Sequence, residues 1–305
     1  MADPDYDVSF GQVLRPGLLQ TDRYATLAIY AQDQADYGRL HLTGSLRYTR
    51  LKFREDQQAT DATYHRLSPR IGATFDVVPG VALYAGYSTA FRGAFGLLTR
   101  FTPRPETSRN IEGGIKLAAT RLGLSGTLAL YEQTRNHVAT PDPDPAHPFL
   151  SVQTGQQRSR GVEADVIWEP RPAFSLIANY AYTDAAVTRD SNASLIDDRL
   201  PRVPRHSGRI AARYRFVDGD AKGLSLGAGV TAFTAREVTL PNTVSVPGYA
   251  AIDAQAAYDI GQFTVQVSGV NLGNARTFDT YQYFAFPVVM PTQPRSVFVT
   301  IKARM

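Results

Sequence analysis

The chain contains no cysteine, which removes disulfide frameworks and thiolate metal sites. It has no uncharged apolar run of about 18 residues, so a membrane-spanning helix is excluded. Membrane-spanning strands stay open, because these are only about 9–11 residues long and alternate in polarity. None of its five histidines, His41, His65, His137, His147 and His206, stands in a His-Glu-x-x-His spacing. A net charge of +4 over 305 residues is small. The basic residues are scattered over many loops, so no nucleic-acid partner is expected. No low-complexity linker divides the chain, and residues 1–305 read as one unit with no separate second domain. The Pro-rich stretch Thr140-Pro-Asp-Pro-Asp-Pro-Ala-His-Pro148 reads as a loop tip. The opening Met1-Ala-Asp-Pro-Asp-Tyr-Asp has neither a basic start nor an apolar core, and so is not a secretory signal. One string, Gly223-Leu-Ser-Leu-Gly227, matches a nucleophile elbow. It opens an alternating strand with no helix after it, so it carries no catalytic weight, and the chain is not expected to be an enzyme.

What is present is alternation. In Leu40-His-Leu-Thr-Gly-Ser-Leu-Arg-Tyr48, the residues Leu40, Leu42, Leu46 and Tyr48 share one face, and His41, Thr43, Ser45 and Arg47 the other. Residues 122–135 repeat the pattern. Such a period of two belongs to strands with one apolar and one polar environment, and about thirteen strands are predicted, all antiparallel. Connections alternate between short (Val78-Pro79-Gly80, Thr120-Arg121, Glu169-Pro-Arg-Pro172, Ile260-Gly261-Gln262) and long (residues 50–66, 134–154 and 188–206). A transmembrane barrel sorts its loops this way, with tight turns at one rim and long loops at the other. Aromatics on the apolar parity fall in two bands. Phe75, Trp168, Phe174, Phe216, Tyr258 and Phe263 lie beside the short turns, and Tyr48, Tyr87, Phe91, Tyr180 and Tyr182 near the long loops. These are the expected girdles at two membrane interfaces.

The polar parity carries charge at mid-strand: Glu112, Lys116, Glu163, Asp165, Arg213, Arg215 and Asp253. Buried unpaired in a sandwich core, such groups would cost several kcal/mol each, so they are read as structural charges facing a lumen. Arg158 and Arg160 are placed with them, as ion-pair partners for Glu163. Candidate ligand-binding residues are Tyr84, Arg92, Tyr131 and Arg135 on strands, with Tyr281, Tyr283, Phe284 and Phe286 in a long loop. Arginine and tyrosine suit ligands that offer anionic oxygens and flat aromatic groups.

Eight segments in order resemble the C-terminal half of TonB-dependent siderophore receptors of the ferrichrome-receptor type. They are Ile29-Tyr30-Ala31-Gln32-Asp33-Gln34; Leu67-Ser-Pro-Arg-Ile-Gly72; Val81-Ala-Leu-Tyr-Ala-Gly-Tyr-Ser-Thr-Ala-Phe91; and Pro105-Glu-Thr-Ser-Arg-Asn-Ile-Glu-Gly-Gly-Ile-Lys116. Then follow Gly155-Gln-Gln-Arg-Ser-Arg-Gly-Val-Glu163, Asn179-Tyr-Ala-Tyr-Thr-Asp184, Val203-Pro-Arg-His206 and Gly269-Val-Asn-Leu272. The resemblance implies an outer-membrane barrel of 22 strands, of which about nine would be absent here. It implies a receptor for ferric siderophores, with iron entering only as the chelated ligand and no cofactor. Lipid and lipopolysaccharide would surround the barrel. The TonB complex would be engaged only through a plug that this chain does not contain, so the chain is expected to be unable to transport alone. A passive porin-like channel is the alternative. Met305 ends the chain where the family usually carries an aromatic residue.

Overall fold

The computed structural model describes residues 21–55, 60–93, 99, 101–144, 146–147, 150–283 and 286–303. Thirteen strands form one antiparallel sheet. In order they are β1 (Asp22–Tyr37), β2 (Leu40–Glu55), β3 (Thr60–Val78), β4 (Val81–Arg92), β5 (Glu106–Ala119), β6 (Leu124–Pro141) and β7 (Ser151–Arg171). The sheet continues through β8 (Phe174–Arg189), β9 (His206–Arg215), β10 (Leu224–Phe233), β13 (Tyr249–Ile260), β14 (Phe263–Val270) and β17 (Ser296–Ala303). Four short strands form two satellite hairpins inside long loops: β11 (Arg236–Glu237) with β12 (Ser245–Val246), and β15 (Phe278–Tyr283) with β16 (Phe286–Pro291). Sequence alternation missed these four, because loop hairpins have no apolar face to reveal them. β1 and β17 each pair on one side only, so the sheet is curved but not closed.

The alternation sets the two faces. Leu27, Ile29, Ile71, Leu130 and Val299 point outward, each 60–68% exposed. In water they would make an apolar patch far beyond what a soluble surface carries; in hydrocarbon they are solvated. The inward face bears polar side chains and glycines. Among the described residues the buried apolar side chains are few, and they include Leu51, Phe53, Val187, Leu195, Val238 and Val246. All of these sit at the long-loop end, where loops fold over the mouth, so the sheet itself has no conventional core.

Connections at the other rim are tight. Gly80 closes the β3–β4 turn at φ +83°, and a Cβ there would press on the Ala118 carbonyl, so only glycine suits the position. At the mouth the strands run further than alternation suggested. β2 and β3 stay paired up to Glu55↔Thr60, leaving residues 56–59 as the connection instead of 50–66. Likewise β6 and β7 stay paired as far as Pro141↔Ser151. Above the membrane both faces meet water or loops, so the apolar–polar contrast disappears while the hydrogen-bond ladder continues.

Candidate functional site

Four inward side chains at the mouth, one from each of four neighbouring strands, are linked by hydrogen bonds. Arg92 ends β4 opposite Glu106, which opens β5, and Arg135 lies beside Ser108 on β6, one residue pair deeper. Both guanidiniums donate to the same Glu106 oxygen, Oε2, at 2.9 Å from Arg92 and 2.7 Å from Arg135. Arg135 also donates to Gln157 Oε1 of β7 at 3.2 Å. The Glu106 side chain is 16% exposed, while those of Arg92 and Arg135 are 64% and 40% exposed. The carboxylate therefore lies beneath and the cations above it. A cavity of about 240 Å³ adjoins them, lined in part by Ala90, Ser108 and Gln133. Arg92 and Arg135, chosen separately from the sequence, thus converge. Glu106, which joins them, was part of the Pro-Glu segment but was not picked out, and its cross-strand position between two arginines was the available signal.

Tyr84 and Tyr131 lie deeper, each engaged with the wall. Tyr84 donates to Glu112 at 2.6 Å, and the Lys116 ammonium stands 4.9 Å from its ring centroid. The Tyr131 ring lies over Gly161 of the next strand, with its hydroxyl 3.2 Å from Thr183 Oγ1. A Cβ on Gly161 would collide with the Tyr182 carbonyl and stand 3.0 Å from Tyr131 Oη. Close backbone approach thus explains the glycine in the segment Gly155-Gln-Gln-Arg-Ser-Arg-Gly-Val-Glu163.

Tyr281, Tyr283 and Phe286 have their backbone in the β15–β16 hairpin, and Phe284 lies outside the described residues. Glu163 and Asp165 face inward. Arg158 and Arg160 do not join them: an unbroken register from Arg158 to Glu163 puts the arginines on the opposite parity. Arg160 pairs with Asp184 at 3.1 Å on the outward face, above Tyr182. The reason is the strict period of two, which the sequence reading of the Glu163 partner overlooked.

The β9–β14 wall is sparer. Arg209, not singled out from sequence, binds Asp253 and donates to Thr231 at 2.7 Å. Arg215 pairs with Asp259 at 3.0 Å. Arg213 lines a recess of about 500 Å³ walled by Ala211, Gly227, Gly229 and Gly269. His206 is structural, with Nδ1 2.8 Å from Tyr180 Oη and its backbone bridged to Thr234. Among the described residues no three His, Asp or Glu side chains converge as a metal site would require.

Beyond the membrane level, Tyr24 sits next to Phe53, with ring centroids 4.9 Å apart. Burial first, then the negative charges of Asp22 and Glu55, push its phenol up to about 12. Tyr64 donates to the Pro103 carbonyl at 2.6 Å, and burial raises its phenol as well. The Tyr64 bond anchors the β4–β5 loop to β3 at the mouth.

The family model of the TonB dependent receptor-like β-barrel matches residues 2–272. The metal-pseudopaline receptor CntO of Pseudomonas aeruginosa is 29% identical over 90% of this chain and 40% of its own length. The ferrichrome outer membrane transporter/phage receptor of Escherichia coli K12 is 28% identical over 82% of this chain and 34% of its own. The chain therefore spans about 40% or less of these curated relatives. The siderophore receptor PiuA of Acinetobacter baumannii superposes with a TM-score of 0.78 at 19% identity, over 92% of this chain and 43% of PiuA. The ferripyoverdine receptor of P. aeruginosa, bound to ferripyoverdine, gives 0.76 at 18%, over 92% and 38%. With the family model covering most of its length, and an open antiparallel sheet whose apolar face points outward, the chain belongs to the TonB-dependent receptors, as a segment of their outer-membrane β-barrel.

Proposed function

We propose that this chain is the ligand-facing part of the barrel wall of an outer-membrane receptor for ferric siderophores, working in TonB-dependent uptake and performing no catalysis. The observation that carries the reading is the convergence of Arg92, Glu106 and Arg135 on the inward face, at the rim where every long loop gathers. Curated relatives at similar identity bear the names of ferrichrome, ferric-pyoverdine and ferrioxamine receptors, which supports it. Iron here is cargo held in a chelate, not a cofactor. Lipopolysaccharide is the natural neighbour of the outward arginines: Arg50 lies two residues above Tyr48, and Arg158 four above Val162, where phosphate headgroups would meet them. Energised transport needs more than this wall, so binding is the activity to test.

The test is calorimetric titration of the chain, folded in detergent micelles, with ferric tris-hydroxamate and with ferric citrate, each against its iron-free form. Saturable binding of a ferric chelate that the iron-free ligand does not match is the expected result. No such binding, together with steady conductance in planar bilayers, would replace the receptor by a passive channel.

A further inference from the structure

The charge balance at the mouth is unequal. Two guanidiniums share one carboxylate, and they share one oxygen of it. A guanidinium carries five N–H donors; Arg92 spends one on Glu106, while Arg135 spends one on Glu106 and one on Gln157. The neighbouring inward positions on the packed strands are Ala90 and Ser88 on β4, Ser108 and Asn110 on β5, Gln133 on β6 and Ser159 on β7, all neutral. The next inward carboxylate down β5 is Glu112, which accepts from Tyr84. Glu106 is covered by the very arginines it fixes, so the surface offered to the mouth is cationic and rich in paired donors. A carboxylate or other anionic oxygen pair docks on such a fork with two parallel bonds, whereas a neutral chelate leaves the donors to water.

We infer that the receptor selects ferric chelates bearing free anionic oxygens, of the carboxylate type, over electrically neutral ones, and that Arg92 and Arg135 recognise that charge with Glu106 as their positioning residue. This rests on the receptor reading above. The inward parity of both arginines sets the site apart from the lipid phosphates met by the outer face. Partial exposure of the pair makes the preference weaken as salt rises.

The decisive experiment compares Kd for ferric citrate and for a neutral ferric tris-hydroxamate, at low and high salt, in the chain and in its variants. Ferric citrate is expected to bind about 10-fold tighter at low salt, the worth of one charge-assisted pair. Arg92→Gln with Arg135→Gln is expected to abolish the preference, lowering the affinity for ferric citrate about 10-fold more than that for the neutral chelate. Arg109→Gln, on the outward face, is expected to change nothing. Glu106→Gln keeps both cations and is expected to raise the anion preference; it also covers the case in which the double variant fails to fold. Equal binding of the two chelates, or an unchanged preference in the double variant, would overturn the inference and leave the receptor standing. Iron-free citrate binding as tightly as ferric citrate would overturn it too, by reducing the site to a plain anion trap. Failure of every ferric chelate to bind would sink both readings.

Discussion

The two halves of the inward wall solve the same problem differently. From β4 to β8 the wall is crowded: Tyr84 braces Glu112, Tyr131 covers Gly161, and one carboxylate ties two arginines. From β9 to β14 it is built from small residues around a recess of about 500 Å³, spanned by the Arg209–Asp253 pair. A strand wall facing a lumen gains nothing from a dry core, so its stiffness comes from side chains lying over neighbouring strands. In the sparse half two ion pairs, Arg209–Asp253 and Arg215–Asp259, reach across β10, and between them the backbone hydrogen bonds hold the sheet. The crowded half thus combines stiffness with the exposed donors of the mouth, and the sparse half leaves room.

The contrast is broken most directly at glycine. Gly161→Val is expected to cost about 3 kcal/mol or more, because its branches meet backbone and the Tyr131 ring, which cannot yield. Gly227→Ala in the sparse half meets only the Gln255 side chain at 3.3 Å and the Ala212 carbonyl at 3.4 Å, and is expected to cost less than about 1 kcal/mol. Urea midpoints of the micelle-folded chain measure both, and equal shifts would dissolve the distinction. Next in size is Arg209→Ala, expected to cost about 1 kcal/mol because the partly exposed Asp253 loses its partner. Adding Asp253→Asn should recover most of that loss. Arg135→Ala in the crowded half is expected to cost about half as much, since Arg92 still holds Glu106. Tyr131→Phe is of the same size, about 0.5 kcal/mol, because only the hydroxyl bond to Thr183 is lost while the ring stays on Gly161. Tyr131→Leu should exceed it clearly.

The smallest effect concerns pH at the mouth. Burial first, then Asp22, raises the Glu55 carboxyl above its ordinary value. The folded state therefore holds that proton more tightly than the unfolded chain, so the group costs stability as pH climbs from the unfolded to the folded pKa, and the cost stays at neutral pH. Glu55→Gln should raise the urea midpoint at neutral pH, with the gain fading as pH falls below the ordinary carboxylate range. A gain that grew on acidification would contradict the sign.

Sheet type and the inward and outward faces were legible because each leaves a period-two trace, and the loop asymmetry because turn residues punctuate the strands. Convergence of Arg92 with Arg135 was half legible: each had the right parity and lay near a long loop, but their meeting needed the β4–β5–β6 register. The error over Arg158 and Arg160 came from choosing a partner by charge and nearness in sequence when parity ruled it out. Strand extensions beyond the membrane and the β11–β12 and β15–β16 hairpins left no trace, since polar residues paired in water show no contrast between faces.

Almost every strand of the sheet pairs with its nearest predecessor, so assembly can proceed by adding short hairpins one after another, at low cost in chain entropy. The β14–β17 junction is the exception with the widest gap, residues 271–295. Each doubling of such a loop adds about 0.6 kcal/mol to its closure. Asn271, buried at the foot of this loop, donates to the carbonyls of both Ala275 and Gln293. It thereby holds the departing and the returning chain together, while the β15–β16 hairpin shortens the span still to be closed. Strand β17 is therefore the addition with the largest closure cost, and one asparagine ties together the two ends of the chain that must be closed.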